Sequence, residues 1–283
     1  MRATAVNPGE GPVVTWWLRL RANAAATLRS LVRPPRPGAA RLATLPASRV
    51  VLGTVIAVAA VAATMSIDAR SIDAARHLPP WVVEFYGNIT EFGETSWFLY
   101  PTGALLAVIA LRSAWPLPNT VRLTLAALGA RLGFIFLAIA MPSLVVSIVK
   151  RLIGRARPLV TGENDPFIFL PLSWRVDYAS LPSGHTTTAF SAAVAIGAIW
   201  PAARPLAWIY ALMIAASRVA LAAHHPSDVL AGAICGVAGA LLVRNWFARR
   251  RLAFAVGTDG IVRLLPGPSW QRIKAVARRV LSA

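Results

Sequence analysis

Two adjacent histidines interrupt an apolar stretch near residue 225. The chain reads LAAHHPSDVLAG from 221 to 232, with a proline and a carboxylate soon after the histidines. Since Pro226 fits a first helical position, His224 and Asp228 lie one helical turn apart, where the carboxylate can accept a hydrogen bond from the imidazole. An imidazole held in this way presents its other nitrogen as a base or a nucleophile. The alternatives are that Asp228 only caps the helix and that His225, which has no predicted role, caps the helix or lines the site entrance.

A second polar cluster, LPSGHTTT at 181–188, precedes another apolar run. Ser183 supplies a hydroxyl, and Gly184 lets the backbone approach an anion closely at a helix start, where free N–H groups and the helix dipole favour negative charge. His185 can donate a proton near neutral pH. For this segment taken alone, an ordinary capped helix start is the alternative.

Three cations accompany these clusters: Lys150, Arg157 and Arg218. They have no equal number of acids nearby, an arrangement that suits a multiply charged phosphate or a similar anion. Lys150 and Arg157 are seven residues apart and share a face if the helix continues between them. Basic side chains that reach for the membrane interface are the alternative for any one of the three. The excess of cations over acids disfavours a divalent metal, so neither a metal site nor a cofactor is predicted.

The composition indicates that membrane helices position these residues. Hydrophobic residues make up 57% of the 283 residues, charged residues make up 14%, and the mean hydropathy is +0.59. This balance excludes an ordinary soluble domain. Six apolar runs approach the roughly 20 residues that a helix needs to cross a bilayer. We therefore predict an all-α polytopic membrane protein with about six transmembrane helices, at 50–67, 97–111, 132–149, 186–200, 206–219 and 229–243.

The net charge of +18 is concentrated in particular segments. Eight arginines precede residue 50 against one acid, and nine basic residues follow residue 243 against one acid. The segment between the first two apolar runs instead carries five acids and two arginines. This distribution is typical of membrane topology rather than of nucleic-acid binding, and the positive-inside rule predicts that both termini are cytoplasmic. All three polar clusters then lie at the outer membrane face.

The apolar runs define a membrane domain at 49–245 between two basic tails. Residues 1–48 are predicted to form a cytoplasmic Pro- and Arg-rich tail with a stiff linker at 34–38. The stretch before that linker is either a basic helix on anionic lipid or a disordered tail. Residues 246–283 form a second cytoplasmic tail, with a predicted hairpin at 252–267 and then a basic amphipathic helix. That helix either binds the inner leaflet or packs on the protein, and Cys235 is interpreted as a packing residue.

The three clusters resemble the motifs of the type 2 phosphatidic acid phosphatase family, which shares its helical core with the vanadium haloperoxidases. The family's motifs are a lysine followed after six residues by Arg-Pro, then Pro-Ser-Gly-His, and then Ser-Arg followed by a histidine after five residues and an aspartate after three more. The resemblance covers about residues 95–245 and leaves the two tails outside. The matching residues are Lys150 with Arg157-Pro158, Pro182-Ser183-Gly184-His185, and Ser217-Arg218 with His224 and Asp228.

The resemblance implies a phosphatase/haloperoxidase-like helical core and a metal-independent phosphatase with a phosphohistidine intermediate. His224 is the implied nucleophile and Asp228 its orienting partner. His185 is the implied acid, which protonates the leaving oxygen and then serves as the base for water. In six-span members of the family the site faces away from the cytoplasm, in agreement with the predicted topology. The implied ligands of the phosphoryl oxygens are Lys150, Arg157, Arg218, Ser183 and Gly184.

We therefore expect a lipid phosphate or diphosphate phosphatase in a bacterial inner membrane, with its site facing the periplasm. Candidate substrates are undecaprenyl diphosphate, phosphatidylglycerol phosphate, phosphatidate and lipid A. Expected partners are the lipid substrate and anionic lipids under the basic tails, with no nucleic acid and no predicted protein partner. The alternatives are a phosphotransferase with the same site, a vanadate-dependent haloperoxidase, and a non-catalytic anion- or lipid-binding membrane protein or transporter. The loop at 160–174, with Glu163, Asp165, Phe169 and Trp174, either selects the head group or covers the helix ends.

Overall fold

The computed structural model describes residues 12–34, 46–160, 162 and 164–281, and most of these residues are helical. The predicted all-α class is confirmed, with one small hairpin near the end of the described chain. Short 3₁₀ turns lie at 65–67, 91–93, 176–178 and 201–203. The elements in chain order are α1 (Pro12–Val32), α2 (Ala47–Thr64), α3 (Asp68–Ala75), α4 (Pro80–Thr90), α5 (Ser96–Ser113), α6 (Asn119–Ile153), α7 (Gly184–Ile199), α8 (Arg204–Ala220), α9 (Pro226–Arg249), β1 (Phe254–Val256), β2 (Val262–Leu264) and α10 (Trp270–Leu281).

All six predicted apolar runs are helical. By length and composition, four segments of the described chain can cross a membrane. The other two predicted spans, α7 and α8, have 16 and 17 residues and extend about 25 Å at 1.5 Å per residue, somewhat less than a hydrocarbon core. The placement of the termini in the cytoplasm stays a prediction. The four long segments are Ala47–Ala75, Pro80–Ser113, Asn119–Ile153 and Pro226–Arg249.

The acidic segment between the first two predicted spans contains two helices that the sequence analysis did not predict. Helix α3 begins at Asp68 and buries Asp68, Ile72 and Ala75 on one face. Helix α4 begins at Pro80, a residue suited to a first helical position, and packs against α8. Through these contacts, residues that lie far from the motifs in sequence reach the same part of the fold.

Helix α7 packs between two neighbours within the compact unit formed by residues 43–100 and 134–245. Small residues of α9 allow a close approach on one side, since a Cβ at Gly232 would lie 2.5 Å from the Ser183 carbonyl and one at Gly236 would lie 2.5 Å from the Thr187 carbonyl. This approach holds the start of α7 against the start of α9. On the other side, the core shared by α7 and α8 consists of Ala189, Ala193, Ala207, Ala211 and Ile214.

A second compact unit contains the described parts of residues 1–42, 101–133 and 246–283. Strands β1 and β2 pair antiparallel, with Phe254 opposite Leu264, which confirms the predicted hairpin. Val276 of α10 packs against Val121 and Leu125 of α6. Part of the C-terminal helix therefore packs on the protein. This was one of the two alternatives for the helix, the other being binding to the inner leaflet.

The stretch before the predicted linker forms helix α1, so the helical alternative for this stretch is confirmed and the disordered one is not. Its binding to anionic lipid, the domain boundaries and the cytoplasmic side of both tails stay predictions. Residues 35–38 of the predicted linker lie outside the described residues.

Candidate active site

The turn between α8 and α9 carries His224. After Ala220 the chain reverses through Ala222, which has the left-handed φ of 47°. The backbone N–H groups of Ala223 and His224 donate to the carbonyl of Arg218 at 3.0 and 3.1 Å. Helix α9 then begins at Pro226, as predicted. The His224 side chain, at 3% exposure, is thereby held beside the last turn of α8.

Ser180 lies between His224 and Asp228. Its hydroxyl donates to Oδ2 of Asp228 at 2.6 Å and lies 3.3 Å from Nδ1 of His224. The distance from His224 Nδ1 to Asp228 Oδ2 is 3.7 Å, which is too long for a hydrogen bond. The structure therefore has no direct bond of the kind the sequence predicted, and Oδ2 accepts instead from Ser180 and from the backbone N–H of His225. The imidazole and the carboxylate are connected through the Ser180 hydroxyl.

The environment of His224 favours its neutral form. Burial lowers the pKa of His224, and the positive charges of Arg218 and Arg157 act in the same direction. Asp228 acts in the opposite direction but does not outweigh the burial. A neutral imidazole keeps a lone pair on one ring nitrogen and can therefore act as a nucleophile or a base.

His225 lies at the N-cap position of α9, but the side chain that caps the helix is that of Asp228. The side chain of His225 is fully buried, and its backbone N–H donates to Oδ2 of Asp228 at 3.0 Å. Asp228 in the first turn thus reaches back to the residue before the helix, as in a capping box. Asp228 therefore caps the helix, as one alternative predicted, and also contacts Ser180. Within the described part of the chain, neither ring nitrogen of His225 has a hydrogen-bond partner.

Lys150 and Arg157 do not share a helical face. Helix α6 ends at Ile153 because Gly154 has φ +65°, and a Cβ there would lie only 1.7 Å from the carbonyl oxygen of Leu170. Lys150 is in the last turn of α6, whereas Arg157 lies in the segment after it, where its N–H donates to the Asp177 carbonyl at 2.7 Å. A glycine turn, rather than helical spacing, therefore sets the position of Arg157.

Arg218 and Arg157 present unpaired donors near His224. Nη1 of Arg218 donates to Oγ1 of Thr90 at 2.5 Å, and Thr90 also accepts from the hydroxyl of Ser217 at 3.2 Å. In the described chain, Nε of Arg218 and Nε of Arg157 are both buried without a hydrogen-bond partner. A buried guanidinium donor without an acceptor is costly. The positive charges of both guanidinium groups also act on His224. Two unpaired donors of this kind beside one imidazole are typical of a site that binds an anion.

The second predicted cluster meets the third at the start of α7. Ser183 is the N-cap of α7 and is fully buried. Its backbone N–H donates to the carbonyl of Asp228 at 3.0 Å, and the Thr186 hydroxyl donates to its Oγ at 3.1 Å. His185 follows one residue into the helix, where burial lowers its pKa to about 3 and the positive charges of Arg218, Arg157 and Lys150 act in the same direction. The three clusters that are separate in sequence therefore form one site.

A cleft of about 320 Å³ lies beside this site. Lys150, Gly184 and His185 line one part of it. Ser143 and Ser147 precede Lys150 by seven and three residues, so the three polar side chains share a face of α6. The remaining lining is mostly polar and consists of Gly93, Glu94, Thr95, Ser96, Ser143 and Ser147.

The loop at 160–174 exposes aromatic side chains. Trp174 is 81% exposed and Phe169 is 41% exposed. Arg151 donates to the Trp174 carbonyl at 2.9 Å and lies 5.0 Å from the centre of its ring. Asp165 accepts a bond from the N–H of Phe167 at 2.8 Å, and Glu163 lies outside the described residues. Head-group selection and cover of the helix ends both remain hypotheses for this loop.

Four buried residues at the site were not singled out from the sequence: Asp68, Thr90, Arg155 and Ser180. Each contacts a motif residue through a side-chain hydrogen bond or through a shared partner. The sequence contains a feature that could have identified two of these four residues. Asp68 is an acid that directly follows an apolar run, and Arg155 belongs to a chain segment already assigned to the site.

Comparisons with known proteins agree on one family. The sequence model of the PAP2 superfamily matches residues 131–252. A lipid A 1-phosphatase of Rhizobium johnstonii is 33% identical over 184 residues, which are 64% of this chain and 75% of that protein. A lipid A 1-phosphatase of Rhizobium etli is 30% identical over 207 residues, which are 72% of this chain and 88% of that protein.

A solved structure supports the fold. The crystal structure of a transmembrane PAP2 type phosphatidylglycerolphosphate phosphatase from Bacillus subtilis aligns with a TM-score of 0.50 and 24% identity. The alignment covers 70% of this chain and 94% of that one.

Proposed function

This chain belongs to the PAP2 superfamily and is a membrane lipid phosphatase, and from that premise we propose that it removes the phosphate from an acylated sugar 1-phosphate of the lipid A type. We further propose that the reaction proceeds through a phosphohistidine on His224, needs no metal, and takes place at the outer face of the membrane. The related lipid A 1-phosphatases support this choice among the lipid phosphates that the motifs accommodate.

One observation carries the chemistry: a buried, neutral His224 lies within the electrostatic reach of two guanidinium groups whose Nε donors are unpaired. A phosphate monoester carries up to two negative charges and has several acceptor oxygens, so it would satisfy both donors at once. Bound there, its phosphorus would lie next to a ring nitrogen that keeps its lone pair. This is the arrangement that nucleophilic phosphoryl transfer requires.

The reaction then has two balanced steps. In the first, a ring nitrogen of His224 forms a bond to phosphorus while the bond to the lipid oxygen breaks. His185, which the negative charge of the bound phosphate keeps protonated against the surrounding cations, gives that oxygen a proton. In the second, water attacks the phosphohistidine, His185 accepts the proton of the water, and inorganic phosphate leaves the free imidazole. The charge on the phosphoryl oxygens in both transition states is held by Lys150, Arg157, Arg218, Ser183 and the backbone of Gly184.

The cleft supports a sugar as the group next to the phosphate. Ser143 and Ser147 place hydroxyls on the same face of α6 as Lys150, and Thr95, Ser96 and Glu94 add hydroxyl and carboxylate groups. Hydroxyls and carboxylates bond readily to the hydroxyl and amide groups of an amino sugar, whereas a prenyl chain offers them nothing. Serines in an otherwise apolar helix are also expected to face a polar cavity rather than lipid.

The decisive assay compares substrates in one detergent. Purified protein in excess EDTA is given a lipid A 1-phosphate, phosphatidate, phosphatidylglycerol phosphate and undecaprenyl diphosphate, and released phosphate is measured. We expect the highest kcat/KM for lipid A and no activity in His224→Ala. Preference for another lipid would overturn the sugar assignment, loss of activity in EDTA would overturn the metal-free mechanism, and an active His224→Ala would overturn the nucleophile.

The outward orientation is supported by the charge distribution, because the segment between the first two apolar runs is acidic and the tails are basic. We expect intact spheroplasts to hydrolyse a membrane-impermeant, short-chain sugar 1-phosphate at the same rate as lysed cells. Activity that appears only after lysis would place the site on the cytoplasmic side.

A further inference from the structure

Arg155 is fully buried, and each nitrogen of its guanidinium donates a hydrogen bond inside the protein. Nε donates to the Pro166 carbonyl at 2.9 Å. Nη1 donates to Oγ of Ser227 and to Oδ1 of Asp228, both at 2.7 Å. Nη2 donates to Oδ2 of Asp68 at 2.7 Å. Arg155 is therefore directed at the protein interior rather than at a substrate phosphate.

Asp68 holds the other side of this cluster. It is the first residue of α3 and is fully buried. It accepts a hydrogen bond from the N–H of Ser227 at 3.0 Å and a short bond from the Ser227 hydroxyl. Asp68 and Asp228 are thus two buried carboxylates that share one guanidinium, and Ser227 bonds to Asp68 and to that guanidinium. Since a buried carboxylate without a partner is strongly unfavourable, Arg155 serves as the cationic partner of both.

The cluster limits the freedom of Asp228. Arg155 holds Oδ1, while Ser180 and the N–H of His225 hold Oδ2. The carboxylate cannot rotate about its side chain without breaking the charged bond to Arg155. The Ser180 hydroxyl, which contacts both Asp228 and Nδ1 of His224, depends on that fixed carboxylate for its own position.

We propose that Arg155 and Asp68 are positioning residues for phosphoryl transfer, which fix Asp228 and, through Ser180, the orientation and tautomer of the His224 imidazole. The inference rests on the proposed role of His224 as the nucleophile. Neither residue touches the substrate, so both act on the chemical step and not on phosphate binding. Removal of comparable orienting partners behind a reactive group lowers activity by about 10- to 100-fold.

The test compares arginines that are close in the fold but differ in their contacts. Arg155→Met and Asp68→Asn are expected to lower kcat by about 10- to 100-fold while the inhibition constant of inorganic phosphate stays unchanged. Arg157→Met is expected to weaken phosphate inhibition. Arg76→Met removes an exposed arginine directly after α3 and is expected to keep the wild-type kcat and inhibition constant. All are measured below the thermal unfolding transition of the least stable variant.

Ser227→Ala keeps every charge of the cluster. It tests the proposal even if Arg155→Met or Asp68→Asn does not fold. It removes the hydroxyl that joins Arg155 to Asp68, and we expect it to lower kcat in the same way with unchanged phosphate inhibition. A wild-type kcat in the folded variants would overturn the proposal. So would an equal loss of phosphate inhibition in Arg155→Met and Arg157→Met, because Arg155 would then be a phosphate ligand. Failure of the proposed function is distinguishable, since it would appear as an active His224→Ala or an inactive wild type.

Discussion

Gly93 leaves room for His185: a Cβ at position 93 would lie 2.9 Å from Cδ2 of the His185 ring. The same Cβ would lie 2.8 Å from Cγ2 of Ile214 in α8. Both distances are shorter than real Cβ contacts, so any side chain at this position must move the imidazole or the helix. The turn at 91–93 therefore helps to define where His185 stands in the cleft.

Gly93→Ala is predicted to lower kcat about tenfold or more, because displacement of a proton donor by a fraction of an ångström weakens catalysis. Overpacking is also expected to lower the free energy of unfolding by about 1–3 kcal/mol. Phosphate release and thermal unfolding in detergent measure the two effects. Gly87→Ala in α4 is the matched control, since a Cβ there meets nothing within 4 Å. It should keep full activity and raise the free energy of unfolding by up to about 1 kcal/mol.

Thr90→Val is predicted to weaken phosphate binding, because it removes the oxygen that accepts the 2.5 Å bond from Nη1 of Arg218. A hydrogen bond to a charged group contributes about 1.5–3 kcal/mol, and we expect a rise in KM and in the phosphate inhibition constant of about tenfold or more. Thr90→Ser keeps the oxygen and should stay close to the wild type in both constants. Equal constants for the valine and serine variants would show that Thr90 does not orient Arg218.

The membrane helices were predictable from sequence because burial in lipid requires long apolar runs, and each of the six runs is helical. The hairpin was predictable because a short-range turn signal at Asp259 and Gly260 lies between two β-prone segments. Helices α3 and α4 were not predicted, since they span only 8 and 11 residues and neither contains an apolar run long enough to cross a membrane. Such short helices form because they pack on the rest of the protein.

The motif residues were predictable because the chemistry of phosphate requires cations, a helix start and imidazoles at fixed spacings. The contacts around Asp228 were not, because they join residues far apart in the chain. Arg155 reaches Asp68 across 87 positions and Ser180 reaches Asp228 across 48. No local pattern encodes such pairs. The prediction that Lys150 and Arg157 share a helical face was wrong for a local reason, because the left-handed turn at Gly154 ends the helix between them.

The two adjacent histidines are predicted to differ sharply in function. His224→Ala should lower kcat by a factor on the order of 10⁴ or more, as expected when a nucleophile is removed. His225→Ala keeps the backbone N–H that bonds to Asp228 and should retain substantial activity, although the buried cavity it leaves lowers the free energy of unfolding. Released phosphate from the lipid substrate is the measurement. Equal losses in the two variants would show that the assignment to His224 alone is wrong.

The stability of the protein is predicted to fall below about pH 6.5 partly through His224. Burial lowers the pKa of this imidazole in the folded state, whereas in the unfolded chain it titrates near 6.5. The unfolded chain therefore binds more protons between these two pKa values, and the free energy of unfolding decreases as the pH falls from about 6.5 towards the folded-state pKa. His224→Gln has no titrating group at this position, so its midpoint of thermal unfolding in detergent should fall less steeply with acidification than that of the wild type. Parallel curves for the two proteins would mean that folding does not lower the pKa of His224, so that burial would not be what keeps this imidazole neutral.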